Sequence, residues 1–189
     1  MRKLVLFMHV SLDGYASDSN GALDWIPYND ELQKYAEEVV AEVGSPVYGR
    51  TTYQLMESYW PTVLNDPNAS EHEMEHAKWV QDVQKIVISS TMDKAEWNNT
   101  LLIKDNIAEE INALKEQPGK NLVIFGSPGA AKTLLELGLI DELLLTICPV
   151  VLGGGKSIFG GVGEKTKLKL LANRTFKSGV VAVRYELEK

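Results

Sequence analysis

The chain of 189 residues has a formal net charge of −7, with 44% hydrophobic and 24% charged residues and a single cysteine. A chain of that length forms one domain with a sizeable core, expected over residues 1–189, and its acidic balance speaks against a nucleic-acid or anionic-membrane partner. The lone Cys148 excludes an internal disulfide and fits a reducing, cytoplasmic setting.

Leu4 to Val10 is a continuous apolar run and reads as a strand buried on both faces, ended by the turn signal Ser11-Leu12-Asp13-Gly14-Tyr15. It is too short to span a membrane, and no signal-peptide pattern accompanies it. After a polar loop and Leu23-Asp24-Trp25-Ile26-Pro27, apolar positions at Leu32, Tyr35, Ala36, Val39, Val40 and Val43 follow a helical period. Asp30 is the expected N-cap, with Gln33 as its capping-box partner. Pro46 to Gly49 reads as a second strand, Arg50-Thr51-Thr52 as the start of a helix, and Trp60 to Ala69, rich in proline and asparagine, as a surface loop. Ser70 and Glu73 open an acidic helix to Val80 in capping-box register. Lys85 to Ile88 is a third strand, followed by Ser89-Ser90-Thr91 and a loop through Trp97-Asn98-Asn99. A helix over Asn106 to Glu116 stops at Pro118-Gly119.

Leu122 to Phe125 then reads as a fourth parallel strand, broken by Gly126-Ser127-Pro128-Gly129 and followed by a helix that ends at Gly138. A strand, a glycine turn and a helix start place free backbone N–H groups and the positive end of a helix dipole at one spot, which suits a phosphate. A long apolar strand, Leu143 to Leu152, runs into Gly153-Gly154-Gly155, and two final strands, Leu168 to Thr175 and Val180 to Leu187, flank a Lys177-Ser178-Gly179 turn. The sum is an α/β fold with a mixed, mostly parallel sheet, helices on both faces and an antiparallel C-terminal hairpin. Two glycine clusters at strand ends mark a ligand cleft.

Several patterns compete for the chemistry. Gly126 to Thr133 is one residue away from the P-loop pattern, but Ala131 replaces a glycine whose backbone must wrap the phosphate, which disfavours an NTPase. His72-Glu73-Met74-Glu75-His76 matches H-E-x-x-H, a zinc hydrolase signature, although Glu73 is also explained by the capping box. Asp13 and Asp30 are the candidate proton donors for adding a hydride to a C=N or C=O bond. Arg50, at a strand-to-helix junction, is placed to hold a phosphate monoester bidentately, with Ser89 and Ser90 as further donors.

The order Ser11-Leu12-Asp13-Gly14-Tyr15, Val47-Tyr48-Gly49-Arg50-Thr51-Thr52-Tyr53, Lys85 to Ser90 and Phe125-Gly126-Ser127-Pro128 resembles the dihydrofolate reductase fold. Gly138 to Leu143 with Pro149 to Gly155 more closely resembles the C-terminal reductase domain of the bifunctional riboflavin-biosynthesis deaminase-reductase, and small stand-alone relatives of that domain match best. The resemblance implies an NADPH-dependent reductase acting on a pyrimidine- or pterin-like substrate, and a homodimer. Gly49, Arg50, Thr51 and Thr52 would bind the adenosine side including the 2′-phosphate, beside Ser89 and Ser90. Gly126, Ser127, Pro128, Gly129 and Ala130 would hold the pyrophosphate, with Gly153 and Gly154 completing the cofactor site. Ser11, Trp25 and Asp30 would contact the substrate. Phe125 stands where the riboflavin reductases usually carry a glutamate. Two other readings are a nucleotide-binding protein without catalysis and the zinc hydrolase through His72, Glu73 and His76.

Overall fold

The computed structural model describes residues 1–160 and 165–188. At its centre is β1, Leu4–Ser11, whose side chains are buried on both faces. Even-numbered residues Leu4, Leu6, Met8 and Val10 pack into the main core, while Val5 and Phe7 pack on the opposite side. This two-sided burial explains why the strand reads as an unbroken apolar run.

The remaining elements follow in chain order as α1 (Asp30–Ala41), β2 (Val43–Gly49), α2 (Arg50–Val63), α3 (Glu71–Asp82), β3 (Lys85–Ile88) and β4 (Thr100–Ile103). Then come α4 (Ile107–Glu116), β5 (Asn121–Phe125), α5 (Pro128–Glu136), β6 (Glu142–Cys148), β7 (Leu168–Thr175) and β8 (Val181–Leu187). The strands form one sheet in the order β4-β3-β2-β5-β1-β6-β8-β7. All pairs from β4 across to β6 are parallel, whereas β8 runs antiparallel to both β6 and β7. The main core holds Ile111 and Leu114 of α4 and Ala131 and Leu134 of α5. On the other face, α1 contributes Val39, and α2 and α3 contribute Tyr53 and Val80. The expected fold is therefore the observed one: a mixed sheet with helices on both faces and an antiparallel C-terminal end.

Some boundaries differ for identifiable reasons. Asn29, not Asp30, caps α1, its side-chain oxygen accepting the Leu32 N–H at 3.0 Å, and Asp30 is the first helical residue. The α2 helix continues through Trp60 and Pro61 to Val63, so the expected loop begins later: a proline in the final turn takes its donor from the frayed end of the helix. The expected strand from Leu143 to Leu152 stops at Cys148, because β8 pairs only as far as Ile147 and Pro149 cannot donate to the ladder. The short edge strand β4 has no counterpart among the expected elements, because four residues without alternation carry no periodic signal. The Ser70–Glu73 capping box and the glycine after α5, with Gly138 at φ +66°, stand where expected.

Glu142, at the start of β6, is a buried carboxylate held by Lys3 Nζ at 2.5 Å and by Arg184 Nε at 2.6 Å. Burial pulls its pKa up, but the hydrogen bonds from Lys3 and Arg184 outweigh that and hold it below its ordinary value of 4.5. A depressed carboxylate pKa contributes stability that is complete above the unfolded value and disappears as pH falls through the folded one. Acid unfolding is accordingly expected to begin below about pH 4.5, and a Glu142→Gln variant should show a flatter stability profile over that window in urea titrations at a series of pH values.

Candidate functional site

The carboxyl ends of the parallel strands carry the site. β2 passes directly into α2 at Gly49–Arg50, and its neighbour β5 passes through Gly126 and Ser127 into α5. Gly126 and Ser127 are both left-handed, at φ +57° and +55°. Glycine takes that conformation freely; a serine there costs about 1 kcal/mol and needs a compensating contact. The buried Ser127 has one, since its Oγ accepts the Gly49 N–H at 2.9 Å. A Cβ on Gly49 would lie 3.3 Å from the Ala130 Cβ, so the two helix starts touch.

Among the described residues no side chain caps α2 or α5, whereas Asn29 and Ser70 cap α1 and α3. The open first-turn N–H groups and positive dipole ends of α2 and α5 thus converge on one place, a ready anion site. It gathers Gly49, which the sequence reading assigns to the adenosine side, with Gly126, Ser127, Pro128, Gly129 and Ala130, which it assigns to the pyrophosphate. Thr51 and Thr52 lie in the first turn of α2. Arg50 is exposed, and its Nη1 donates to Thr91 Oγ1 at 3.0 Å. Ser89 is buried beside Thr91 and caps the loop after β3, its Oγ accepting the N–H groups of Thr91 at 3.3 Å and Met92 at 3.2 Å; Ser90 next to it is exposed.

The second glycine cluster lies where two loops meet. The segment after β6 is stitched to the loop after β1: Leu12 N–H donates to Val150 O, Ala16 N–H to Lys156 O, and Lys156 N–H to Ser17 O. Asp13 closes the join. Its carboxylate accepts from Ser11 Oγ at 2.7 Å, Leu152 N at 3.1 Å and Gly153 N at 2.8 Å. The Ser11 hydroxyl first, then the two backbone N–H groups, lower its pKa to about 2. At neutral pH Asp13 is an anion fixing a loop, and Ser11, whose Oγ also accepts the Tyr15 N–H, belongs to the same turn. Gly154 approaches Ser19 in the β1–α1 loop.

On the face of the sheet covered by α1, α2 and α3 lies a cleft of about 570 Å³. Phe7 of β1 and Phe125 of β5 form its floor, their rings 5.9 Å apart and edge to face, as their paired positions in the sheet require. Tyr28 and Glu37 come from the α1 side and Trp60 from α2; α3 presents His72, Glu75, His76 and Trp79. His76 stacks on Trp60 at 4.2 Å between ring centres and on Trp79 at 5.1 Å, and burial lowers its pKa to about 4. His9, on the same face of β1 as Phe7, packs against Phe7 and Tyr28 and hydrogen-bonds Thr146 Oγ1; burial likewise lowers its pKa to about 4. Asp30 is exposed in the first turn of α1, between the cleft residues Tyr28 and Gln33. Trp25 packs instead with Ile26, Cys148 and Phe176, its indole N–H donating to Ala22 O at 3.0 Å.

The H-E-x-x-H pattern does not assemble a hydrolase site here. His72 Nδ1 lies 2.9 Å from Glu37 Oε1, and Glu73 is turned back to Ser70 and to the Tyr59 hydroxyl. Among the described residues no cluster of three or more His, Cys, Asp or Glu side chains is arranged to hold a metal ion.

This mixed, mostly parallel sheet with helices on both faces is a dihydrofolate reductase-like fold. Residues 2–182 match the RibD C-terminal domain family, and the chain belongs to that family. The uncharacterized protein YyaP of Bacillus subtilis (strain 168) is 36% identical over 184 residues, covering 97% of this chain and 94% of that protein. A Shewanella sp. PV-4 protein provisionally assigned to riboflavin biosynthesis shares the fold with a TM-score of 0.77 at 23% identity, covering 99% of both chains. Dihydrofolate reductase of Enterococcus faecalis, solved with NADP(H), superimposes with a TM-score of 0.62 at 17% identity, covering 99% of this chain and 97% of that one.

Proposed function

We propose that the protein is an NADPH-dependent reductase that delivers hydride to a C=N or C=O group of a pyrimidine- or pterin-like heterocycle. The observation that carries this reading is the junction of the uncapped α2 and α5 starts, bridged by the Gly49 N–H and Ser127 Oγ. A pyrophosphate fits there, because backbone N–H groups and dipoles favour an anion and Gly126, where a Cβ would meet nothing within 4 Å, leaves the backbone open to it. NADPH, when bound, supplies the hydride. The residues of the chain do the rest: the first turns of α2 and α5 bind the pyrophosphate, Arg50 and Thr91 receive the 2′-phosphate, and Gly153 and Gly154 belong to the loop that Asp13 holds in place. The aromatic cleft takes the substrate ring and excludes water from it.

Thermal unfolding tests the reading. Binding to the native state raises the midpoint by mass action, so NADPH is expected to stabilise the protein more than NADH does, and no rise with NADPH would refute it.

The state of Asp13 supports a second reading, a nucleotide-binding protein without catalysis, since a carboxylate locked as an anion is a poor proton donor. Asp30, exposed in the first turn of α1 and between the cleft residues Tyr28 and Gln33 in the chain, is then the acid that separates the two. In a turnover assay Asp30→Asn is expected to slow the reaction while NADPH stabilisation stays unchanged; equal rates in the two proteins would remove Asp30 from the chemistry.

The resemblance to the riboflavin reductases also carries a homodimer, and the sheet offers a surface for it. The edge strand β7 is exposed along its whole length, with Leu168, Leu170 and Leu171 at 43%, 51% and 42% exposure. Bare apolar edges of this kind pair with another copy. Sedimentation is expected to give a dimer for the native chain and a monomer for Leu170→Lys.

A further inference from the structure

We infer that the aromatic cleft takes a flat heterocycle bearing no phosphate, one that is neutral or cationic. This inference rests on the reductase reading of the same site and goes beyond it in fixing the charge of the substrate.

The two sides of the site differ in electrostatic character. Anion-ready groups stand on one side: the α2 and α5 starts and Arg50. The cleft walls are the reverse. Glu37 and Glu75 line it. Among the described residues, the basic groups in or beside the cleft are neutral, paired with one of its carboxylates, or turned to its far end. His9 and His76 have pKa values lowered to about 4 and are neutral imidazoles at neutral pH. His72 lies against Glu37 at 2.9 Å, so any positive charge on it is already answered. Lys120, the one lysine among the described residues that line the cleft, donates to Ala41 O at 2.8 Å at the far end of α1. The N-termini of α1 and α3, which could receive a phosphate, are closed by Asn29 and Ser70.

A phosphate monoester placed here would face carboxylates, and among the described residues that line the cleft there is no arginine and no open helix start to receive it. A planar ring, by contrast, meets Phe7 and Phe125 below and Trp60 and Trp79 at the side, and electron-rich faces and carboxylates both favour a neutral or positively charged ring over an anion.

The probes are 5-amino-6-ribosylaminouracil and its 5′-phosphate, which share one ring and differ by one phosphate. Each is titrated into the protein at saturating NADPH, with quenching of Trp60 and Trp79 fluorescence as the signal and Trp60→Phe as the control for its origin. The nucleoside is expected to bind at least ~10-fold more tightly than its phosphate, and Glu75→Lys, on the exposed side of α3, is expected to narrow that gap. Equal or tighter binding of the phosphate overturns the inference, as does the failure of both compounds to quench. A protein that NADPH does not stabilise refutes the cofactor reading instead, and the same titration without NADPH still decides the sign of the cleft.

Discussion

Replacing Arg50 by glutamine is expected to weaken NADPH binding by roughly 10- to 150-fold, the equivalent of losing a hydrogen-bonded charge pair worth about 1.5–3 kcal/mol, while leaving NADH affinity within about twofold. The geometry makes the effect specific. Arg50 is the first residue of α2, exposed, with its guanidinium anchored on Thr91 and free donors left over. An anion between Arg50 and the Ser89–Thr91 loop gains charge-assisted bonds that a 2′-hydroxyl cannot match. The pyrophosphate site does not include that side chain, so the nucleotide lacking the 2′-phosphate should not register the change. Fluorescence titration of the native and Arg50→Gln proteins with both nucleotides checks the expectation. A parallel loss for NADH and NADPH would place Arg50 on the pyrophosphate or make its role structural. Salt adds an internal control, because an exposed charge pair is screened at high ionic strength and the NADPH preference should shrink with it.

The strand-to-helix junctions were legible in the sequence, and the aromatic cleft was not. Gly49, Arg50, Gly126, Ser127 and Pro128 lie at strand-to-helix junctions, and such junctions announce themselves locally through an apolar run, a small residue and a helical period. The cleft is a product of topology. Phe7 and Phe125 are far apart in the chain and meet only because β1 and β5 are paired in register; each, read alone, is another apolar residue in a buried strand. Trp60 was hidden behind Pro61, whose usual meaning is a helix boundary, although here the helix continues to Val63. His76 was masked by the H-E-x-x-H pattern, and its partners turn out to be Trp60 and Trp79. Asp13 is ambiguous in the sequence in a simpler way. A carboxylate near a glycine turn suggests a proton donor as readily as a loop clamp, and only the positions of the Leu152 and Gly153 N–H groups distinguish the two for Asp13.

Gly155→Ala is expected to cost more than about 4 kcal/mol, lowering the unfolding midpoint by roughly 10 °C. Two independent penalties combine. The residue sits at φ +138°, where side chains are strained, and a Cβ built there would overlap the Ser17 carbonyl oxygen and crowd Asp18 at 3.0 Å. The obstructing atoms are backbone, and that carbonyl already accepts the Lys156 N–H, so relief requires the β1–α1 loop to separate from the segment after β6. The neighbouring Gly154→Ala supplies the control, because its Cβ would meet only the movable Ser19 hydroxyl at 3.3 Å, and its cost should stay within about 1 kcal/mol. The difference also reaches function. Separating the two segments takes the Leu152 and Gly153 N–H groups away from Asp13, so Gly155→Ala should lose turnover beyond what its fraction unfolded explains, and Gly154→Ala should not. Chemical denaturation of both variants alongside the native chain measures the first part. Equal stability of the two would mean that the Ser17–Gly155 approach is not maintained in solution, and that Asp13 is held less firmly than its three hydrogen bonds indicate.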